Sequence, residues 1–360
     1  MNRKKVALGL SGGVDSSVAC ALLIEQGYDV TGVYLECYNE PGCRTDQDKK
    51  DALKVALQLG VKFEVLDFRR QYKAKVVEYF YHEYEIGRTP NPDVMCNLEI
   101  KFGMFYEWAL GNGFDYVATG HYCQKTKVGP LFLKRAKDES KDQSYFLWQI
   151  PRDHLEHVIF PLGDMRKSEV RAKAKELGLL TADKPDSMGI CFIGEVDVNK
   201  LLKEKLGEKP GEVMMYDQTQ KFRSSPISAQ RSELKVIGKH RGIWFYTIGQ
   251  RGGFEIDSKH QTPKMAPCYV IAKDRENNRV VVGERARAMK DVFEIEDTDY
   301  EIPKGSKLYA RIRNLGELHK VESIKKGKVK IENKVFAPSP GQSCVFYDEK
   351  AVLVHGSIIV

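Results

Sequence analysis

No two of the eight cysteines form a C-x-x-C pair; they stand at positions 20, 37, 43, 96, 123, 191, 268 and 344. That spacing argues against a zinc ribbon, a thioredoxin-like motif or a closely spaced cluster site. No apolar run approaches the length needed to span a membrane. The start, Met1-Asn2-Arg3-Lys4-Lys5, runs straight into an apolar stretch and leaves no room for a signal or transit peptide, so a cytoplasmic protein without membrane contact is expected. In a reducing compartment a disulfide framework is not expected, and most of the thiols should be buried. Internal repeats and low-complexity tracts are absent, and so is any G-x-x-x-x-G-K-[ST] phosphate loop.

What is present suits a globular chain of two or three domains: 360 residues, 42% hydrophobic and 30% charged. The net charge of +7 is unevenly spread. Residues 1–207 hold 30 basic and 30 acidic side chains, so residues 208–360 carry all of it, with 27 and 20. A basic second half suits either a polyanionic partner or a solubilising face.

Near the start, Val6-Ala7-Leu8 reads as a buried strand and Val18, Ala19, Leu22 and Leu23 as a helical stripe stopped by Gly27. Between them lies Gly9-Leu10-Ser11-Gly12-Gly13-Val14-Asp15-Ser16-Ser17. Strand, Gly-Gly turn and helix N-terminus aim backbone N–H groups and a positive dipole end at one place, which suits a pyrophosphate. Asp15 within such a turn calls for a cation, and Mg²⁺ on a nucleotide is the expectation. The stretch resembles the PP-loop, S-G-G-x-D-S, of enzymes that split ATP into AMP and pyrophosphate.

Strands are expected at Tyr28–Leu35, Val61–Leu66 and Tyr116–Thr119, and helices at Asp46–Leu59, Gln71–Ile86, Leu98–Leu110, Ser168–Leu177 and Val198–Leu206. Leu131–Lys134 reads as part of a small hairpin. This alternation predicts a doubly wound parallel sheet with ligands at the carboxyl ends of its strands. After Gly207 the texture turns to short β-rich runs: Ile243–Ile248, Cys268–Ala272, Val280–Val282, Leu308–Ile312, Val329–Ile331, Cys344–Tyr347 and Ala351–Val354. Boundaries fall near Gly207 and near Glu284–Asp291, giving units 1–207, 208–284 and 285–360.

Two lone cysteines lie in unusual loops. In Gly87-Arg88-Thr89-Pro90-Asn91-Pro92-Asp93-Val94-Met95-Cys96-Asn97, the prolines are expected to exclude helix until after Asn97. Cys96 would then sit near a helix N-terminus with Asp93 on the same side, a pair suited either to thiol and proton-transfer chemistry or to capping and packing. In Asp183-Lys184-Pro185-Asp186-Ser187-Met188-Gly189-Ile190-Cys191-Phe192-Ile193-Gly194 polar residues lead into apolar flanks that suggest a thiol that can be covered or exposed. Cys37 and Cys43 flank a Gly/Pro turn and carry no preferred reading.

These stretches, with Ala118-Thr-Gly-His-Tyr122, Lys141-Asp-Gln-Ser-Tyr-Phe-Leu147, Phe160-Pro-Leu-Gly163, Tyr246-Thr-Ile-Gly-Gln-Arg251 and Pro340-Gly-Gln342, resemble the tRNA 2-thiouridylase family over nearly the whole chain. One departure is the longer segment Gln218–Lys239. The resemblance implies a PP-loop domain like the adenine nucleotide alpha hydrolases, a small β-rich central domain and a C-terminal β-barrel. It implies that ATP and Mg²⁺ adenylate the C2 oxygen of the wobble uridine in tRNAs for Lys, Glu and Gln, and that a persulfide on Cys191 supplies the replacing sulfur. Cys96 would be the second catalytic thiol, leaving a Cys96–Cys191 disulfide to be reduced, and Asp93 an acid or base beside them. Gly9, Leu10, Ser11, Gly12, Gly13, Val14, Asp15 and Ser16, completed by Leu35 and Gly120, would hold ATP. Asn91, Pro92 and Asp93 would border the flipped base. His121, Lys141, Asp142, Gln143, Arg311, Ile312 and Gln342 would contact the tRNA, with Arg311 and Arg313 alternating onto one strand face. The implied partners are a tRNA anticodon stem-loop and a persulfide-donating protein (a cysteine desulfurase or relay protein), with the enzyme itself a monomer. Two other classes stay open: a PP-loop ligase or amidotransferase acting on a small molecule, and a non-catalytic RNA-binding protein.

Overall fold

The computed structural model describes residues 3–38, 45–186, 197–216, 234–260, 266–296, 300, 302 and 305–360. The expectations for Cys43, for Cys191 and its flanks, and for most of Gln218–Lys239 lie outside these.

Lys5–Gly9 forms β1, Asp29–Glu36 β2, Lys62–Asp67 β3 and Tyr116–Ala118 β4. With the short strand Val158–Ile159 they make one sheet in the order β3-β2-β1-β4-Val158–Ile159, parallel throughout. Its inner strands are apolar on both sides because both faces are covered. Ala7, Val33, Leu35 and Val117 meet Tyr72, Phe102 and Phe105 on one face. Val6, Leu8, Tyr34 and Ala118 meet Val18, Leu23, Val55 and Val170 on the other. The second face is roofed by α1 (Val14–Glu25), α2 (Thr45–Leu59) and the helix Lys167–Glu176.

Two expectations are corrected here. The helix expected from Leu98 starts at Pro92 and runs to Gly111, with a π-helical stretch over Cys96–Met104. Proline costs little in the first turn, where its missing N–H would have had no helical partner. Ile243–Ile248 is not a strand but opens as a 3₁₀ turn, Ile243–Phe245. Its apolar residues plug a cluster with Phe80 and Leu202, so their hydrophobicity reflects burial rather than strand pairing.

The central domain is a five-stranded sheet in the order Glu255–Ile256, Leu234–His240, Gly211–Tyr216, Arg279–Gly283, Tyr269–Asp274. The C-terminal domain orders Met289–Glu294, Lys328–Phe336, His319–Lys325, Leu308–Arg311, Ser343–Asp348 and Leu353–Ile358. An antiparallel bridge between Ile295 and Ile359 joins its two outer strands and closes a barrel, which removes its free edges. The barrel docks on the parallel-sheet domain: Tyr145 Oη donates to the Ser343 carbonyl at 2.9 Å and Trp148 Nε1 to Ser343 Oγ at 2.9 Å.

Candidate active site

β1 ends at Gly9 and α1 begins at Val14, so the turn between them opens at the carboxyl edge of the sheet. The turn is tied internally. Ser11 N donates to Ser16 Oγ at 3.2 Å, and the hydroxyls of Ser16 and Ser17 donate to the Gly13 carbonyl at 3.1 and 2.8 Å. Gly12 has φ +74°, and a Cβ there would lie 2.3 Å from the Asp48 carbonyl oxygen, so only glycine fits. Gly13 caps α1 without a side-chain hydrogen bond, which leaves the first-turn N–H groups facing the turn. Leu35 lies near the end of β2, and Gly120 follows β4 so closely that a Cβ on it would stand 2.9 Å from Ser16 N. Thus Gly9, Leu10, Ser11, Gly12, Gly13, Val14, Asp15, Ser16, Leu35 and Gly120 gather at the carboxyl ends of three adjacent strands.

Asp15 already has a cation, which corrects the reason for expecting Mg²⁺ there. Lys167 Nζ lies 2.7 Å from both of its carboxylate oxygens, and Tyr122 Oη donates to it at 2.7 Å. Burial and the adjacent Asp15 charge push the Tyr122 phenol far above its ordinary range. Lys167 also contacts Asp186 at 2.8 Å, where Arg171 at 2.6 Å and Lys141 at 2.8 Å converge. Burial alone would raise the Asp186 carboxyl, but hydrogen bonds from Lys141 and Lys167 outweigh it and hold it well below the usual range. A third lysine, Lys184, binds the Gly12 carbonyl at 3.0 Å, Asp48 at 2.8 Å and Asp51 at 2.7 Å. Lys167 and Lys184 therefore line the turn, each held by carboxylates, with Lys141 one ion pair away on Asp186. An arriving polyphosphate can compete for them.

On the opposite face of the sheet, the Pro92–Gly111 helix carries Asp93, half-buried, and Cys96, only 1% exposed, in its first turns. Cys96 packs in the cluster that holds Leu35, Cys37 and Phe102. Asn91 and Pro92 are buried at the helix start. Five residues beyond Cys96, Lys101 Nζ lies 3.5 Å from His121 Nε2, and His121 Nδ1 lies 2.8 Å from Thr119 Oγ1. Burial first, and the Lys101 charge second, push the His121 pKa well below its ordinary value. His121 is thus a neutral, enclosed link between the Cys96 helix and Gly120.

The residues expected at a tRNA surface are largely turned inward. The pairing of Arg311 and Arg313 on an open strand face is corrected: Arg311 is 3% exposed and bonds Asp142, 0% exposed, at 2.6 Å. Arg313 donates to the Ala337 carbonyl at 2.9 Å. An arginine on a barrel strand meets the neighbouring domain here instead of water. Ile312 is 5% exposed. Gln143 Oε1 accepts from Tyr122 N at 2.9 Å, and Gln342 Nε2 donates to the Thr89 and Pro90 carbonyls, each at 2.9 Å. Lys141, in its ion pair with Asp186, keeps 40% of its side chain exposed.

Residues 4–195 match the family model described as the tRNA methyl transferase HUP domain. Residues 199–284 match the tRNA methyl transferase PRC-barrel domain, and 295–359 the Aminomethyltransferase beta-barrel domain. The tRNA-specific 2-thiouridylase MnmA of Akkermansia muciniphila is 39% identical over 369 residues, covering 98% of each chain. That of Listeria monocytogenes is 41% identical over 370 residues, covering 98% of this chain and 94% of its own. The chain belongs to the tRNA-specific 2-thiouridylase family. Among solved structures, the U34-tRNA thiolase NcsA of Methanococcus maripaludis, with its [4Fe-4S] cluster, is similar at TM-score 0.36 and 20% identity, over 53% of this chain and 61% of that one. A likeness this remote bears on neither fold nor function.

The site residues that the sequence does not single out are Lys167, Lys184, Tyr122 and Lys101. Lys167 is one of many lysines in a neutral half with no local pattern to single it out, and Lys184 stands in the polar lead of the Cys191 stretch with nothing there to mark its role. Tyr122 stands inside the quoted motif Ala118–Tyr122, and that adjacency was its only signal.

Proposed function

We propose that this chain catalyses ATP-dependent 2-thiolation of the wobble uridine of tRNA; its relatives are named tRNA-specific 2-thiouridylases, which supports the reaction class. A uracil C2 oxygen is a poor leaving group. Attack by that oxygen on the α-phosphorus of ATP breaks the α–β bond, releases pyrophosphate and leaves an O-adenylated base that can expel AMP. The Gly9–Ser16 turn donates N–H groups to the phosphates, and Lys167 and Lys184 exchange Asp15, Asp48 and Asp51 for the departing pyrophosphate.

The terminal sulfur of a Cys191 persulfide then attacks C2 and expels AMP. Cys96 attacks the Cys191 sulfur and frees the thiocarbonyl, so the two thiols are oxidised to a disulfide as sulfane sulfur is reduced. Asp93, three residues from Cys96 on the same helix, would take up the thiol proton. Asn91 and Pro92 precede it and would border the base, which leaves its stack at least cost in an anticodon loop. The donor of the persulfide is a separate protein, and the substrates are tRNAs for Lys, Glu and Gln.

Mg²⁺ would come with the triphosphate and neutralise part of its charge. Among the described residues no group of three or more His, Cys, Asp or Glu forms a metal site, and the carboxylates at the turn are paired to lysines.

The observation that supports this reading is the link between its two halves. The helix bearing Asp93 and Cys96 reaches His121 through Lys101, and Gly120, next in the chain, packs against the nucleotide turn at Ser16. The helix that carries Cys96 and the nucleotide turn are therefore both tied to the loop Thr119–His121 that follows β4. The test is whether AMP and pyrophosphate form from ATP only when unmodified tRNA is added. ATP splitting driven by a small carboxylic acid, with no response to tRNA, would contradict it.

A further inference from the structure

Thr89 and Pro90 lie directly before the helix that carries Asp93 and Cys96, and both β domains hold them. Gln342, on the barrel, spends both protons of its side-chain amide on the Thr89 and Pro90 carbonyls at 2.9 Å. Thr89 N donates to the Pro340 carbonyl at 2.8 Å. Gly341 between them has φ +90°, and a Cβ there would stand 2.7 Å from the Thr89 oxygen and 2.9 Å from its nitrogen. From the central domain, Thr247 Oγ1 lies 3.2 Å from Thr89 Oγ1. Ser339 Oγ donates to the Ile248 carbonyl at 3.1 Å, joining the two β domains beside the same point. One residue earlier, Arg88 faces Glu296 of the C-terminal domain at 3.6 Å.

We propose that Pro340-Gly341-Gln342 is a clamp that sets the start of the Cys96 helix, with Gln342 its positioning residue. The inference rests on the role proposed above for Asp93 and Cys96, and it gives Gln342 a task other than touching tRNA. One barrel segment takes up two carbonyls and one N–H, and Thr247 of the central domain adds a contact to the Thr89 hydroxyl, where a surface loop would leave these groups to water. The chain continues from Pro90 through the N-cap Asn91 into Pro92, whose ring fixes φ. A shift of Thr89 and Pro90 is therefore passed to Asp93 and Cys96 with little slack between. The barrel thereby takes part in catalysis without contributing a group to the reacting atoms.

The test uses the full chain and two readouts. The first is the rate at which iodoacetamide alkylates Cys96, located by peptide mass spectrometry, with Cys344 in the barrel core as the folding control. Gln342→Glu keeps the side-chain length but sets carboxylate against carbonyls. It is expected to speed Cys96 alkylation about tenfold, as befits the loss of two hydrogen bonds, with Cys344 still protected. No change at Cys96 overturns the proposal. Should Cys344 also become reactive, Thr247→Val decides: a smaller rise at Cys96 alone supports the clamp, and none overturns it.

The second readout is tRNA thiolation. A positioning role lowers kcat about tenfold and leaves KM for tRNA within about twofold. A higher KM at unchanged kcat overturns it and makes Gln342 a tRNA contact. Wild-type protein that forms no thiolated tRNA would count against the proposed function, and the alkylation result would still judge the clamp.

Discussion

Arg311 and Asp142 meet at 2.6 Å across 169 residues of sequence, with side chains 3% and 0% exposed. The Asp142 carboxylate also accepts from Ser144 Oγ at 2.9 Å and from Ala136 N at 3.0 Å, and Ser144 Oγ lies 2.9 Å from Tyr347 Oη on the barrel. The pair thus sits in a buried polar network that joins the barrel to the parallel-sheet domain. Removing Arg311 leaves the buried Asp142 carboxylate with only the longer Arg135 pair at 3.7 Å, and removing Asp142 leaves the buried Arg311 guanidinium without its carboxylate. Arg311→Ala should destabilise the chain by about 3–5 kcal/mol in urea unfolding. Arg311→Ala combined with Asp142→Ala should recover part of that loss. Weaker tRNA binding by Arg311→Ala at unchanged stability would instead make Arg311 a phosphate contact.

Lys167 bridges Asp15 in the nucleotide turn to Asp186, at 2.7 and 2.8 Å. If its ammonium moves to the leaving pyrophosphate, Lys167→Met should slow tRNA-dependent pyrophosphate release about a hundredfold. Release at the wild-type rate would confine Lys167 to a structural ion pair.

The distinction between local and distant relationships explains what could be read in advance. The β1–turn–α1 unit was legible because strand, glycines and helical stripe are contiguous and obey local backbone rules. The alternation of strands and helices likewise announced a parallel sheet, and the β-rich texture beyond Gly207 the two later sheets. The start of the Cys96 helix was misread because Pro92 looks like a breaker until it is known to occupy the first helical position. Asp15 with Lys167, and Arg311 with Asp142, are ion pairs across 152 and 169 residues, and no periodicity marks either partner. Arg311 and Arg313 alternate in sequence, but the strand ends at Arg311, which another domain covers, while Arg313 lies beyond the strand and stays exposed, and composition reveals neither.

His121 gives the stability a pH dependence of definite sign. Enclosed by Thr119, Lys101 and the Phe102 ring, it stays neutral in the folded chain, whereas the unfolded chain takes up a proton near pH 6.5. Below that pH the unfolded state binds more protons, so stability is complete above it and is lost as the pH falls. The loss approaches about 1.4 kcal/mol per pH unit for this group. Burial also lowers His240, His319 and His355, so the test is the difference between the wild-type protein and His121→Asn. Urea unfolding from pH 7.5 to 5.5 (about two units) should show a shallower slope in the variant. Equal slopes would mean that His121 is protonated inside the fold.

The most direct test of the whole account is mass spectrometry of the wobble nucleoside after unmodified tRNA is incubated with the protein, ATP, Mg²⁺ and a persulfide source. The account predicts exchange of oxygen for sulfur at C2 with the wild-type chain, and none with Cys96→Ser or Cys191→Ser while both variants still bind ATP. A wobble uridine left unchanged by the wild-type chain, or full thiolation by Cys191→Ser, would contradict it.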